Sequence, residues 1–184
     1  MDSFIEGVFL RELDARCSAC FLAVNELNSA LSGKPSERDL FRPATELICQ
    51  AAMISKLLWP PGNKNASSMA RARARGEHLR KIIGVDDTHP VRSRTLRDHF
   101  EHYDERLDSW AESSRNHNII KRFVGPRGAI AGDAISDGDI IEHYDPSTKI
   151  LSFRGESFDI QALVDGIASI KSKVLELLGS RHGI

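Results

Sequence analysis

The feature that most constrains this chain is a three-four rhythm of apolar residues that fills its first third and then repeats. Leu10, Leu13, Cys17, Cys20, Val24, Leu27 and Leu31 recur at steps of three and four, the spacing that lines one face of an α-helix. Gly33 and Pro35 mark its stop. After Ser36, with Asp39 in the capping-box position, Leu40, Ala44, Leu47, Ala51, Ile54 and Leu58 resume the rhythm until Pro60-Pro61-Gly62 ends it. Two long amphipathic helices joined by a few residues must hide their stripes against each other. The spacing therefore predicts an antiparallel pair at the centre of a bundle, with Ala44 and Ala51 permitting close approach.

The chain has 184 residues, enough for one good core, so a single domain over 1–184 is expected. A formal net charge of -1 gives no global pull toward nucleic acid or acidic lipid, so any polyanion site must be a local patch. Cys17, Cys20 and Cys49 are odd in number and sit in helical patterns, which points to reduced thiols in a cytoplasmic protein. Cys17 and Cys20 share the apolar stripe. No second pair or nearby histidine completes a tetrahedron with them, so they read as packing residues and no metal site is expected. The opening residues carry no basic region and no long apolar core, so no signal peptide is expected. The apolar runs are too short to cross a bilayer.

Residues 60–70 are turn formers and small polar residues. A basic helix follows, with Arg71, Arg73, Arg75, Arg80 and Lys81 set against Glu77. Guanidinium forks suit phosphate, which makes Arg71, Arg73 and Arg75 candidates for holding RNA. The alternate spacing also spreads them around the helix, so a plain solvated face explains them as well.

Residues 90–115 read as one helix, with Pro90 in its first turn and Leu96, Phe100, Tyr103, Leu107 and Trp110 as its core-facing stripe. With Leu96 at zero and 100° per residue, that stripe spans about 80°. Arg97 then falls near 100°, Asp98 near 200° and His102 near 240°, all on the outward face. His99, paired at the same spacing with Arg94, falls near -60°, at the edge of the stripe.

A histidine of ordinary pKa can move protons at neutral pH, and an arginine can hold a phosphate and offset charge on its transition state. Such a set suits cleavage of single-stranded RNA, where the 2′-hydroxyl is the nucleophile, with neither metal nor cofactor. A plain solvated helix face explains the set as well, and a further alternative is a face that binds a protein partner or nucleotide without chemistry.

Past Ser113 the pattern changes. Residues 118–124 are strand-like, and 139–144 and 149–154 flank the turn Asp145-Pro146-Ser147-Thr148 as a hairpin. A small antiparallel sheet over 118–158 is expected. Gly125-Pro126-Arg127-Gly128 reads as a turn. His143 and Asp145 lack a third metal ligand. Ile160, Leu163, Ile167, Ile170, Val174 and Leu177 mark a closing helix over 159–179, capped by Asp159.

Arginine, then a polar residue, then histidine after three more, set late in an all-helical region, resembles the HEPN superfamily (higher eukaryotes and prokaryotes nucleotide-binding). Arg97, Asp98 and His102 carry the resemblance, and it spans the helical part from about residue 5 to 115. It implies a mainly α, HEPN-like antiparallel bundle (4–115) and metal-independent RNase activity. It also implies a homodimer whose composite site forms through the 90–115 face, and a toxin-antitoxin or defence role with a cognate inhibitor protein. By position, Arg97 is the catalytic arginine, Asp98 the polar residue after it and His102 the catalytic histidine. Arg92 and Arg94 join Arg71, Arg73 and Arg75 as RNA-holding candidates.

Overall fold

The computed structural model describes residues 1–33, 37–60, 66–93, 103–130 and 135–180. Among these, helix α1 runs Ser3–Ser32, α2 Glu37–Leu58, α3 Ala66–Ile83, α4 Tyr103–Ser113 and α5 Ile160–Gly179. Strands β1 (Ile120–Val124), β2 (Ile140–Asp145), β3 (Ile150–Phe153) and β4 (Glu156–Asp159) form one small sheet. The chain is mainly helical.

The apolar rhythm gives the expected pair. Asp2 caps α1 by accepting from the amides of Phe4 and Ile5. The polar contacts run in reverse register, Arg16 with Gln50 and Arg42 with Glu26, so α1 and α2 are antiparallel. Their stripes are almost wholly buried: Leu10, Leu13 and Cys17 on one side, Leu40, Leu47, Ala51, Ile54 and Leu58 on the other. Burial pushes the Cys17 and Cys20 thiols up to about 12, which suits packing residues and no nucleophile. Cys49 is also a free thiol. Ser36, the expected cap of α2, lies outside the described residues.

The middle connection is shorter than the sequence suggested, because α3 already begins at Ala66. Ala66 and Ala70 are good helix formers, and the serines between them do not stop the helix. At Gly76, α3 crosses the end of α2 so closely that a Cβ there would lie 2.6 Å from the Leu58 carbonyl oxygen. Only glycine fits this contact.

α5 returns to the bundle as expected. Asp159 caps it by accepting from the Ala162 amide, and Leu163, Ile167, Ile170 and Val174 enter the core. Lys171 reaches across to Asp14 and Ser18 on α1. Tyr144, Leu151 and Phe158 stand in one row across β2, β3 and β4, and this row packs on the bundle. His143, Ser152 and Ser157 form the matching row on the opposite face.

The expected hairpin is present, with β2 and β3 antiparallel. Two expectations need correction. First, the sheet is mixed, since β1 pairs with β2 in parallel; the stretch between them is long enough for the crossover that parallel pairing requires. A fourth strand, β4, was not foreseen, because Glu156-Ser157-Phe158-Asp159 offers only one apolar residue.

The second correction concerns 90–115, which is not one helix. Pro90–Arg92 is a 3-10 turn, and Ser93 leaves helical geometry at φ -46°, ψ 120°. Residues 94–102 lie outside the described residues, and α4 starts at Tyr103. Proline in the first turn and charged residues after it serve a 3-10 turn as well as an α-helix. Of the supposed core stripe, Leu107 and Trp110 are half-buried and stand outside the main core. α4 is fastened to the sheet end instead, by contacts described next.

Candidate functional site

The segment 94–102, which carries the Arg-x4-His spacing, enters and leaves through two anchors. Its catalytic candidates Arg97, Asp98 and His102, together with Arg94, lie outside the described residues.

The entry anchor is built around His89. Its ring stacks on Trp59 at 6.0 Å between centroids and 25° between planes, and the Arg80 guanidinium lies 5.8 Å from the Trp59 ring centre. On α5, Gly166 leaves room for the imidazole, since a Cβ there would come within 3.1 Å of the ring. His89 Nδ1 accepts from the Val91 amide at 3.3 Å, capping the 3-10 turn. That fixes the proton on Nε2, which faces the Ser169 hydroxyl oxygen at 3.4 Å; the Ser169 hydroxyl donates in turn to the Gly166 carbonyl. Burial holds the His89 pKa below its ordinary value, against a smaller upward pull from Asp86. The ring is a neutral structural acceptor.

Asp87 completes the anchor. It accepts from Trp59 Nε1 at 2.9 Å and pairs with Arg92 at 3.3 Å, while its backbone carbonyl accepts from Arg92 at 2.8 Å. A cavity of about 440 Å³ opens here, bordered by Thr88, His89, Pro90, Arg92 and Ser93. It holds the exposed Arg92 guanidinium together with the Asp87 carboxylate that pairs with it.

The exit anchor is Arg154, in the tight turn between β3 and β4. Arg154 and Gly155 have φ of +46° and +85°, the pair of positive values that a two-residue hairpin turn of this hand requires. From that position the guanidinium donates to the carbonyls of Arg106 and Gly138 and, at 3.2 Å, to the Ser113 hydroxyl. Arg106 pairs with Glu156 at 3.2 Å, and Trp110 donates to the Asn118 carbonyl at 2.9 Å. Ser114 donates to the buried Asp139, whose two hydroxyl partners and one amide partner hold its carboxyl below the ordinary range.

The structure separates the three arginines of α3. Arg71 and Arg73 are exposed. Arg75 folds inward, with its guanidinium 5.2 Å from the Phe9 ring centre and a donation to the Lys56 carbonyl. Burial lowers its pKa. It packs into the α1–α3 contact, on the same helix face as Arg71 four residues earlier, while Arg73 stands on another face.

Sequence reasoning missed His89 and Trp59. The signal was present: a histidine directly before Pro90 stands in a capping position, and Trp59 ends the helix facing it. It also missed the cross-strand pair His143 and Ser152. His143 Nε2 donates to the Gly125 carbonyl at 2.7 Å, leaving Nδ1 to accept from the Ser152 hydroxyl at 3.2 Å. The pair borders a polar cavity of about 240 Å³ with Arg127, Asp137 and Asp145. Counting outward from the expected turn sets residue 143 opposite 150; the loop actually spans 146–149, which puts 143 opposite 152. Among the described residues no group of three or more histidine, cysteine, aspartate or glutamate side chains is placed to hold a metal, and no helix is long and apolar enough to cross a membrane.

Comparison with protein-family models, with curated proteins and with solved structures finds no match to this chain.

Proposed function

We propose that this protein is a metal-independent endoribonuclease of the HEPN type that cleaves single-stranded RNA. The observation that carries the reading is the Arg97-Asp98-x3-His102 spacing directly ahead of α4 in a mainly helical chain. The exposed Arg92 guanidinium, at the edge of a cavity at the entry to that segment, supports it.

In this mechanism the 2′-hydroxyl oxygen attacks the adjacent phosphorus and the bond to the 5′-oxygen breaks. The products are a 2′,3′-cyclic phosphate and a 5′-hydroxyl. His102 transfers the proton, Arg97 holds the phosphate oxygens as charge builds on them, and Asp98 orients the pair by hydrogen bonding. Arg92 and Arg94 hold flanking phosphates, and Arg71 and Arg73 extend the track. Arg75, turned toward Phe9, is not part of it. Two chains meeting through the motif face would bring two such sets into one cleft. An inhibitor protein covering that cleft would give the toxin-antitoxin or defence role.

The test is cleavage of single-stranded RNA in the presence of chelator. His102→Ala and Arg97→Ala should each lower the rate by about 10²-fold or more, and DNA of the same sequence should stay intact. Equal rates for the wild type and both variants would sink the mechanism. RNA binding without any cleavage would instead identify a non-catalytic binding module.

A further inference from the structure

Where α3 lies along the first turns of α1, a groove of about 480 Å³ opens between the helices, within the size range of small-molecule sites, about 300–1,000 Å³. Ile5 and Phe9 supply its wall on α1. Ala72 continues the apolar lining on α3, with Arg71, Arg75 and His78 alongside. Ile5 remains 47% exposed, with Val8 and Phe4 exposed nearby. The helix therefore presents apolar area here that its own core does not use.

The charge of the groove is one-sided. His78 is already tied to Glu6, which leaves the two guanidinium groups to set the sign. Arg71 is exposed and has no ion-pair partner among the described residues. Arg75 spends one donor on the Lys56 carbonyl, and its buried Nε has no hydrogen-bond partner. A half-buried cation over an aromatic ring, with no ion-pair partner among the described residues, gains when an anion approaches.

The lining also excludes one class of guest. It contains no carboxylate side chain, so nothing there would pair with a cationic head group. What matches is an aliphatic body with an anionic head.

We propose that the α1–α3 groove binds a single amphipathic anion, an aliphatic carboxylate or phosphate monoester, with its chain on Ile5, Phe9 and Ala72 and its head on Arg71 and Arg75. This site shares Arg71 with the proposed RNA track but uses none of Arg97, Asp98 and His102, so either reading can fail without the other.

The test is isothermal titration of the full chain with decyl phosphate below its micelle concentration. Inorganic phosphate and decyltrimethylammonium serve as the head alone and the cationic twin. Decyl phosphate should bind about tenfold or more tighter than either control, and Arg71→Gln and Ile5→Gln should each weaken it by about tenfold. Both substitutions fall at exposed positions, and an unchanged unfolding midpoint confirms that each variant is folded.

Equal binding of the cationic twin, or decyl phosphate affinity unchanged in both variants, would overturn the proposal. So would capture of the protein by anionic phosphatidylglycerol vesicles without binding of monomeric decyl phosphate, which would make the groove a lipid-surface contact. A doubling of mass that alone accounts for the heat would assign the groove to a second copy of the chain and overturn it too.

Discussion

The α1–α2–α5 bundle and the α4–sheet end are held together by different forces. The bundle joins through area: Leu10, Leu13, Leu47, Ile54, Ile167 and Ile170 are sealed from solvent and interlock over the length of three helices. The α4–sheet end joins through points, with Arg154 on Arg106 and Ser113, Ser114 on Asp139, Arg106 on Glu156, and Trp110 on Asn118. Apolar area is roughly additive and tolerant of small shifts. A polar clamp depends on each partner being in place, since a lost one leaves a buried group unpaired. The Arg-x4-His segment leads into the clamped region. Its position should therefore yield to single polar substitutions that leave the bundle intact.

Substitution in the bundle should have the largest effect. Leu47→Ala removes a side chain with no exposure from between α1 and α2, and should cost about 2–5 kcal/mol in denaturant unfolding. Arg154→Ala should cost less, about 1–3 kcal/mol, because it removes donors to three partners at a partly exposed site. Its signature is regional: amide exchange should accelerate through 103–113 while α1 and α2 keep their protection. If exchange in α1 and α2 rose by the same factor, the two regions would be one cooperative unit and the contrast between them would collapse.

The same contrast explains what was legible in the sequence. Burial by area repeats along a helix, so the stripes of α1, α2 and α5 could be read position by position, down to Leu58 and Val174. A polar clamp leaves no period. Arg154 meets Arg106 from 48 residues away, and nothing in either local sequence announces it. Charges on 92–106 look alike whether the backbone is α-helical or not, which is why 90–115 read as one helix while the chain breaks at Ser93. β1 read correctly as a strand, but its parallel direction depends on a crossover whose described residues form only short 3-10 turns. For the candidate site, the sequence supplied residue types and spacing at Arg97, Asp98 and His102. The supporting anchors came only with the fold, because His89 works through Gly166 and Ser169 on a helix near the other end of the chain.

The smallest effect should come from pH at the entry anchor. His89 is neutral in the fold, and burial sets its pKa below the ordinary value of 6.5. The sign follows from proton counting. Between the folded and unfolded pKa values the unfolded chain binds more protons, so the contribution of His89 is fully present above 6.5 and declines as pH falls through the folded pKa. The charged neighbours pull in both directions: Asp86 and Asp87 favour the protonated ring, whereas Arg92, and Arg80 over the Trp59 ring, oppose it. Trp59 offers the readout, since it stacks on His89. Trp110 has its own histidine edge-on at 6.4 Å, so the titration belongs in a Trp110→Phe background. Fluorescence should then change with a midpoint below 6.5, and His89→Gln should abolish the transition. A midpoint at or above 6.5 would mean that the ring is not desolvated between Trp59 and Gly166. The entry anchor would then be a surface loop and not a fixed hold on the motif segment.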